Sequence, residues 1–114
     1  MVVQSDVTRP VDIQLEAYNA GDIDRFLSVY SDKASITPLP GQPTLIGTDA
    51  IRERYRRLFE TSPNLNAVVH HRVVIGEWVI DHETVTGASI AGLGEAVVAY
   101  EVRDGLIVNV FLVR

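Results

Sequence analysis

No cysteine occurs anywhere in the chain, which removes disulfides and thiolate metal ligands and permits a reducing compartment. Positive charge is scarce: 10 Lys and Arg stand against 15 Asp and Glu, a formal net charge of −5. A phosphate backbone is bound chiefly through basic clusters that release counterions, so nucleic acid is not an expected partner. Long apolar runs are missing too, with nothing near the roughly 20 residues that a membrane span needs. The opening MVVQSDVTRP puts acidic and polar residues where a secretory leader needs an apolar core. A cytoplasmic location with no membrane partner is expected.

What is present describes one folded domain over residues 1–114, with 46% hydrophobic and 22% charged residues, ordinary for a globular chain. The first half reads as helices. Pro10 suits an opening helical position, after which Val11, Gln14, Leu15 and Tyr18 share a face and Gly21 ends the helix. Asp22 caps a second helix in which Ile23, Phe26, Leu27 and Tyr30 repeat at helical spacing. A short strand over 34–37 leads into a loop broken by Pro38, Pro40 and Pro43. Thr48 then caps a third helix, whose inner face holds Ile51, Tyr55, Leu58 and Phe59. The arginines of its RERYRR stretch, residues 52–57, read as a solvated face rather than an anion site.

From Leu65 onward β-branched residues dominate, with turn signals at 75–78, 91–94 and 103–105, which predicts a meander of four long strands. Gly76-Glu77 fits a two-residue type II′ turn, and Arg103-Asp104-Gly105 a three-residue loop closing on a glycine bulge. The first turn pairs Arg72 with Asp81, His71 with His82, and His70 with Glu83 across the strands. Side chains alternate faces, so His71 and His82 lie with Val69, Val73, Ile75, Trp78 and Ile80. That apolar company predicts that both imidazoles point inward, while Arg72 and Asp81 form an outer charge pair. Inward histidines either satisfy each other in the core or line a cavity in which one accepts a proton. A zinc site is not expected, since no third ligand accompanies them.

The order of LEAYNAGDIDRFLSVYSD, GTDAIRERY and VVAYEVRDGLIVNVF resembles the nuclear transport factor 2-like superfamily, and more narrowly its SnoaL-like and steroid delta-isomerase-like branches, over roughly residues 11–113. The resemblance implies an α+β, cystatin-like cone: three N-terminal helices packed on a strongly curved, mixed but mostly antiparallel sheet. It also implies an apolar pocket between helices and sheet, and a homodimer through the outer sheet face. A count from the RDG loop places Ala96, Val98, Tyr100 and Val102 on one face with Leu106, Val108, Val110 and Leu112. Val97 and Ala99 fall on the other with Asn109, Phe111 and Val113. Both faces are apolar, and helices can cover only one.

Laid along the steroid isomerase pattern, the oxyanion tyrosine falls on Gln14, the proton-moving carboxylate on Pro38 and the second acid on Val98. Only Tyr55, the support for that tyrosine, matches. Proline and valine accept no proton, so steroid isomerisation is rejected, and polyketide cyclase-like chemistry stays open. Three readings follow. The first is acid-base isomerase, cyclase or lyase chemistry on a small carbonyl compound, with His82 or His71 as base and Tyr55 orienting an oxygen. In this reading Gln14, Tyr18, Pro38, Val98, Tyr100 and Val110 contact the substrate. The second keeps the pocket as a binder of a small apolar molecule without a reaction. The third is an interaction module working through the outer sheet face. None requires a cofactor or metal.

Overall fold

The computed structural model describes residues 5–88 and 94–114. Helix α1 spans Ser5–Ala20 and buries Val11, Gln14 and Ala17 along one stripe. It begins upstream of the expected start, so Pro10 lies inside it, giving up one backbone bond in an otherwise suitable φ. Helix α2, Ile23–Leu27, is capped by Asp22, whose carboxylate accepts from the Arg25 amide at 3.1 Å. It stops before Tyr30, which instead opens strand β1, Tyr30–Leu39. The Phe26 and Tyr30 rings still meet at 5.0 Å, so the apolar spacing reports shared burial rather than a continuous helix.

Strand β2, Leu45–Ile46, pairs antiparallel with β1 and leads into α3, Thr48–Thr61. Gly47 takes the cap position expected for Thr48: its φ of 89° makes a sharp entry, and its amide is bonded to the Ala34 carbonyl at 2.8 Å. Four long strands follow, β3 (Asn66–Ile75), β4 (Trp78–Thr86), β5 (Glu95–Arg103) and β6 (Leu106–Val113). The six strands form one sheet in the order β2-β1-β6-β5-β4-β3. Only β1 and β6 run parallel, which makes the sheet mixed. The turn expected around 91–94 falls mostly outside the described residues.

The β3–β4 hairpin turns at Gly76-Glu77, with Gly76 at φ 56°, and pairs Ile75 with Trp78, Arg72 with Asp81 and His71 with His82. Beyond His71 the register shifts, so Glu83 faces Val69 and His70 is the extra residue of a bulge. The β5–β6 turn also differs: Asp104 and Gly105, both at positive φ, make a two-residue turn that pairs Arg103 with Leu106. A further shift beside Glu101 then buries Ile107 and leaves Leu106 exposed, in place of the expected inward Leu106 and Val108. Past it, Tyr100 faces Val110 and Val98 faces Leu112. Such bulges bend strands and sharpen twist. The curved sheet and the three helices share one core, centred on Val11, Phe26, Ile51, Val98, Tyr100 and Ile107. Among the described residues no helix is long and apolar enough to cross a membrane.

Candidate functional site

The helices do not fill the concavity of the sheet. A cavity of about 430 Å³ remains between the inner sheet face, α1 and α3; Pro38, which lies within β1 and not in the expected loop, and Gln42 and Pro43 from the loop after it add to its wall. This volume lies within the range of roughly 300–1,000 Å³ typical of ligand pockets. Strand alternation supplies one wall: Ala96, Val98 and Tyr100 from β5, and Val110 and Leu112 from β6. Helical spacing supplies the other, with Gln14 and Tyr18 from α1 and Tyr55 and Leu58 from α3. Seven positions singled out in the sequence, Gln14, Tyr18, Tyr55 and then Pro38, Val98, Tyr100 and Val110, thus border one space.

His71 and His82 do not. His71 is exposed on the outer sheet face, and His82 beside it bonds through Nε2 to Glu95 Oε2 at 2.8 Å. Their rings stack with centroids 5.6 Å apart. The expected sense of the hairpin is therefore reversed: Asp81 is 1% exposed and Glu83 8%, while Val73 and Ile75 are 51% and 63% exposed. The physical reason is that the outer face is the more apolar one, while the inner face carries the polar groups that surround a cavity. Assigning the apolar face to the interior selects the wrong side. Neither histidine lines the cavity, so neither is placed to act as a base on a molecule held there.

The acidic side chain that does line it is Glu83. Two positions from Asp81 on the same face of β4, it is the one carboxylate among the described residues that line the cavity. Among those residues no side chain donates a hydrogen bond to it, and its oxygens are reached from the cavity space. Burial raises its pKa to about 7, helped by the neighbouring Asp81 charge and opposed by Arg114. Asp81 itself is held by Arg72, which meets its two oxygens at 2.7 and 2.9 Å and also reaches Asp12 at 2.7 Å. The signal for Glu83 was present in the sequence as its parity with Asp81, but the direction of that face was not.

Four tyrosines, Tyr18, Tyr30, Tyr55 and Tyr100, border the same space. Burial pushes the pKa of each upward, so all remain neutral donors at physiological pH. Gln14 orders two of them: its Nε2 donates to Tyr100 Oη at 3.0 Å, and its Oε1 accepts from Tyr30 Oη at 3.5 Å. Because Tyr100 accepts from Gln14, its own proton is left to point elsewhere. Pro38 and Val98 add shape but no proton acceptor. Among the described residues no group of His, Asp and Glu is gathered that could hold a metal ion. Of the arginines on α3, Arg52, Arg56 and Arg57 pair with Asp24, Glu53 or Glu60 on the surface, whereas Arg54 borders the cavity.

A family model described as a SnoaL-like domain matches residues 11–110. No curated protein matches the sequence. Among solved structures, an uncharacterised cystatin-fold protein from Novosphingobium aromaticivorans superimposes with a TM-score of 0.82 at 21% identity, covering 95% of this chain and 97% of the other. A SnoaL-like protein of unknown function from Burkholderia thailandensis gives 0.80 at 19% identity, with 97% and 95% covered. A candidate polyketide cyclase from Sinorhizobium meliloti gives 0.81 at 15% identity, with 97% and 99% covered. At these identities the likeness concerns the fold.

Proposed function

The chain belongs to the SnoaL-like domain family, and from that premise we propose that it catalyses proton transfer at carbon next to a carbonyl, with Glu83 as general base and acid. The observation that carries this is the placement of Glu83: the one carboxylate side chain among the described residues that line a cavity whose wall is otherwise mostly apolar and phenolic. A carboxylate removes a proton from the carbon, the C–H electrons move into the carbonyl, and an enolate oxygen forms. The Tyr100 hydroxyl, positioned through Gln14, donates to that oxygen. Glu83, now protonated, returns the proton to the far carbon of a dienolate when the substrate carries a C=C bond next to the carbon that lost the proton, or to the alkoxide formed when the enolate carbon attacks another carbonyl of the same molecule. The first outcome is isomerisation and the second cyclisation. A pKa of about 7 suits both halves, because acid and base forms are populated at neutral pH.

The test uses 2-tetralone, an apolar and readily enolised ketone, in deuterated water. The protein is expected to speed deuterium incorporation next to the carbonyl, followed by NMR, and Glu83→Gln to lower that rate by roughly 100-fold or more. Exchange that is equally fast with the Gln variant overturns the assignment. Saturable binding of the ketone with no exchange by either protein favours the non-catalytic binder.

The outer sheet face we assign to a second copy of the chain. It exposes Val73, Ile75, Val97 and Val113, with the Trp78 and Phe111 rings 6.1 Å apart among them. Several of its polar groups are already bonded within the face. Glu101 accepts from Arg103 and Asn109, each at 2.7 Å, and Ser35 donates to Asn109 at 2.6 Å. Such a face can be covered by its own copy while leaving few polar groups to be bonded across the contact.

A further inference from the structure

Resting on the same cavity, we propose that the substrate is a carbonyl compound bearing a carboxylate, which Arg54 and Arg114 hold at the cavity mouth while the carbonyl end reaches Glu83. Both arginines border the cavity and both are exposed, which places their charges where it opens to solvent. They come from opposite walls for reasons visible in the chain. On α3, positions 51, 54, 55 and 58 form one helical stripe. Ile51 is fully buried there, and Tyr55 and Leu58 line the cavity, so Arg54 lies on the cavity side of the helix at its exposed edge. On β6, Val110 and Leu112 alternate toward the cavity, and Arg114 continues that parity.

The rest of the helix shows that this placement is selective. Arg52, Arg56 and Arg57 are each tied to a carboxylate at 2.8–3.0 Å. Arg54 and Arg114 have no such partner among the described residues. In a chain with five more acidic than basic side chains, two arginines that border one cavity from different walls, with no ion-paired carboxylate among the described residues, are a conspicuous use of positive charge. A guanidinium matches a carboxylate in geometry as well as charge, through paired N–H donors. The arrangement separates the two ends of a ligand: the charged end stays at the wet rim, and the uncharged carbonyl end enters among Val98, Tyr100 and Val110. Both arginine charges are felt at Tyr55, midway along the α3 wall, which agrees with their reach into the opening.

Equilibrium binding tests this without requiring turnover. The probes are 4-oxo-4-phenylbutanoate and its methyl ester, which share a phenyl ketone and differ in the charged end, each titrated by calorimetry into the wild-type protein. The acid is expected to bind at least about tenfold more tightly than the ester at low salt, an advantage that shrinks as salt rises. Arg54→Gln and Arg114→Gln should each weaken the acid by about fivefold to tenfold, with the ester's affinity reporting any general damage to the cavity. Equal affinity for acid and ester, tighter binding of the ester, or no binding of either overturns the inference. The 2-tetralone exchange does not involve these arginines. Loss of acid selectivity with exchange retained therefore rejects the carboxylate clamp alone, and selectivity without exchange rejects the role of Glu83 alone.

Discussion

The Arg72 guanidinium meets both carboxylate oxygens of Asp81, at 2.7 and 2.9 Å, on the inner face of the sheet where Asp81 is 1% exposed. This pair stands two residues along β4 from Glu83. It gives a second, buried carboxylate its partner close to the cavity, and the Asp81 charge helps raise the Glu83 pKa. Arg72→Met should destabilise the protein by roughly 3 kcal/mol, because a buried charge loses its partner. Urea denaturation measures it. Combining Arg72→Met with Asp81→Leu should recover most of the loss, since removing both charges removes the desolvation cost as well. A double variant as unstable as the single one contradicts this account.

Gly87 follows β4 at φ 77°, and a side chain there would run into the carbonyl of Asn64. Backbone closes the space, so no rotamer change relieves the clash. Gly87→Ala is expected to lower stability by about 2 kcal/mol or more, from strain and positive φ together. Gly76→Ala, where nothing lies within 4 Å, meets the φ penalty alone and should cost about 1 kcal/mol. Thermal melts of the two variants check the order.

How much of this was legible follows from which forces act locally. The turn at Gly76-Glu77 fixes the pairing of Arg72 with Asp81 and His71 with His82 through backbone geometry alone, and both pairs form. The bulge at His70 follows from sheet curvature, which no residue near it announces. Which face looks inward depended on a comparison of apolarity, and here the exposed side holds Val73, Ile75 and Val97 while the enclosed side holds Asp81 and Glu83. A cavity reverses the usual rule because it needs polar groups inside it. Gln14 and Tyr55 could be placed on inward helix faces from spacing, since that periodicity is local. The parallel pairing of β1 with β6 joins distant segments and leaves no local trace.

For the outer face, sedimentation equilibrium should show a dimer of the wild-type chain. Val97, 40% exposed near the middle of the sheet, is the position to charge. Val97→Asp should weaken association by at least about 100-fold, since two uncompensated carboxylates would be buried across the two-fold axis. A wild-type chain that stays monomeric at millimolar concentration rules out the second copy as the cover for this face.

Glu83 also makes stability depend on pH in a direction opposite to that of most paired carboxylates. Its folded pKa of about 7 lies above the unfolded value near 4.5, so between these limits the folded state holds a proton that the unfolded state has released. Stability from this group is therefore complete below about pH 4.5, falls as pH rises toward 7, and is level above it. The loss is on the order of 3 kcal/mol across that window. Glu83→Gln cannot ionise and should remove this slope, so the variant gains on the wild type as pH rises from 4.5 to 8 in matched denaturation series. The same group sets the expected rate profile. Exchange of 2-tetralone needs the carboxylate form, so its rate should climb through about pH 7 and flatten above it. Coincidence of the two midpoints would identify one titrating group behind both curves. A rate midpoint near 4.5 would mean that the cavity does not hold Glu83 as a neutral acid, and would remove the physical basis for its double role.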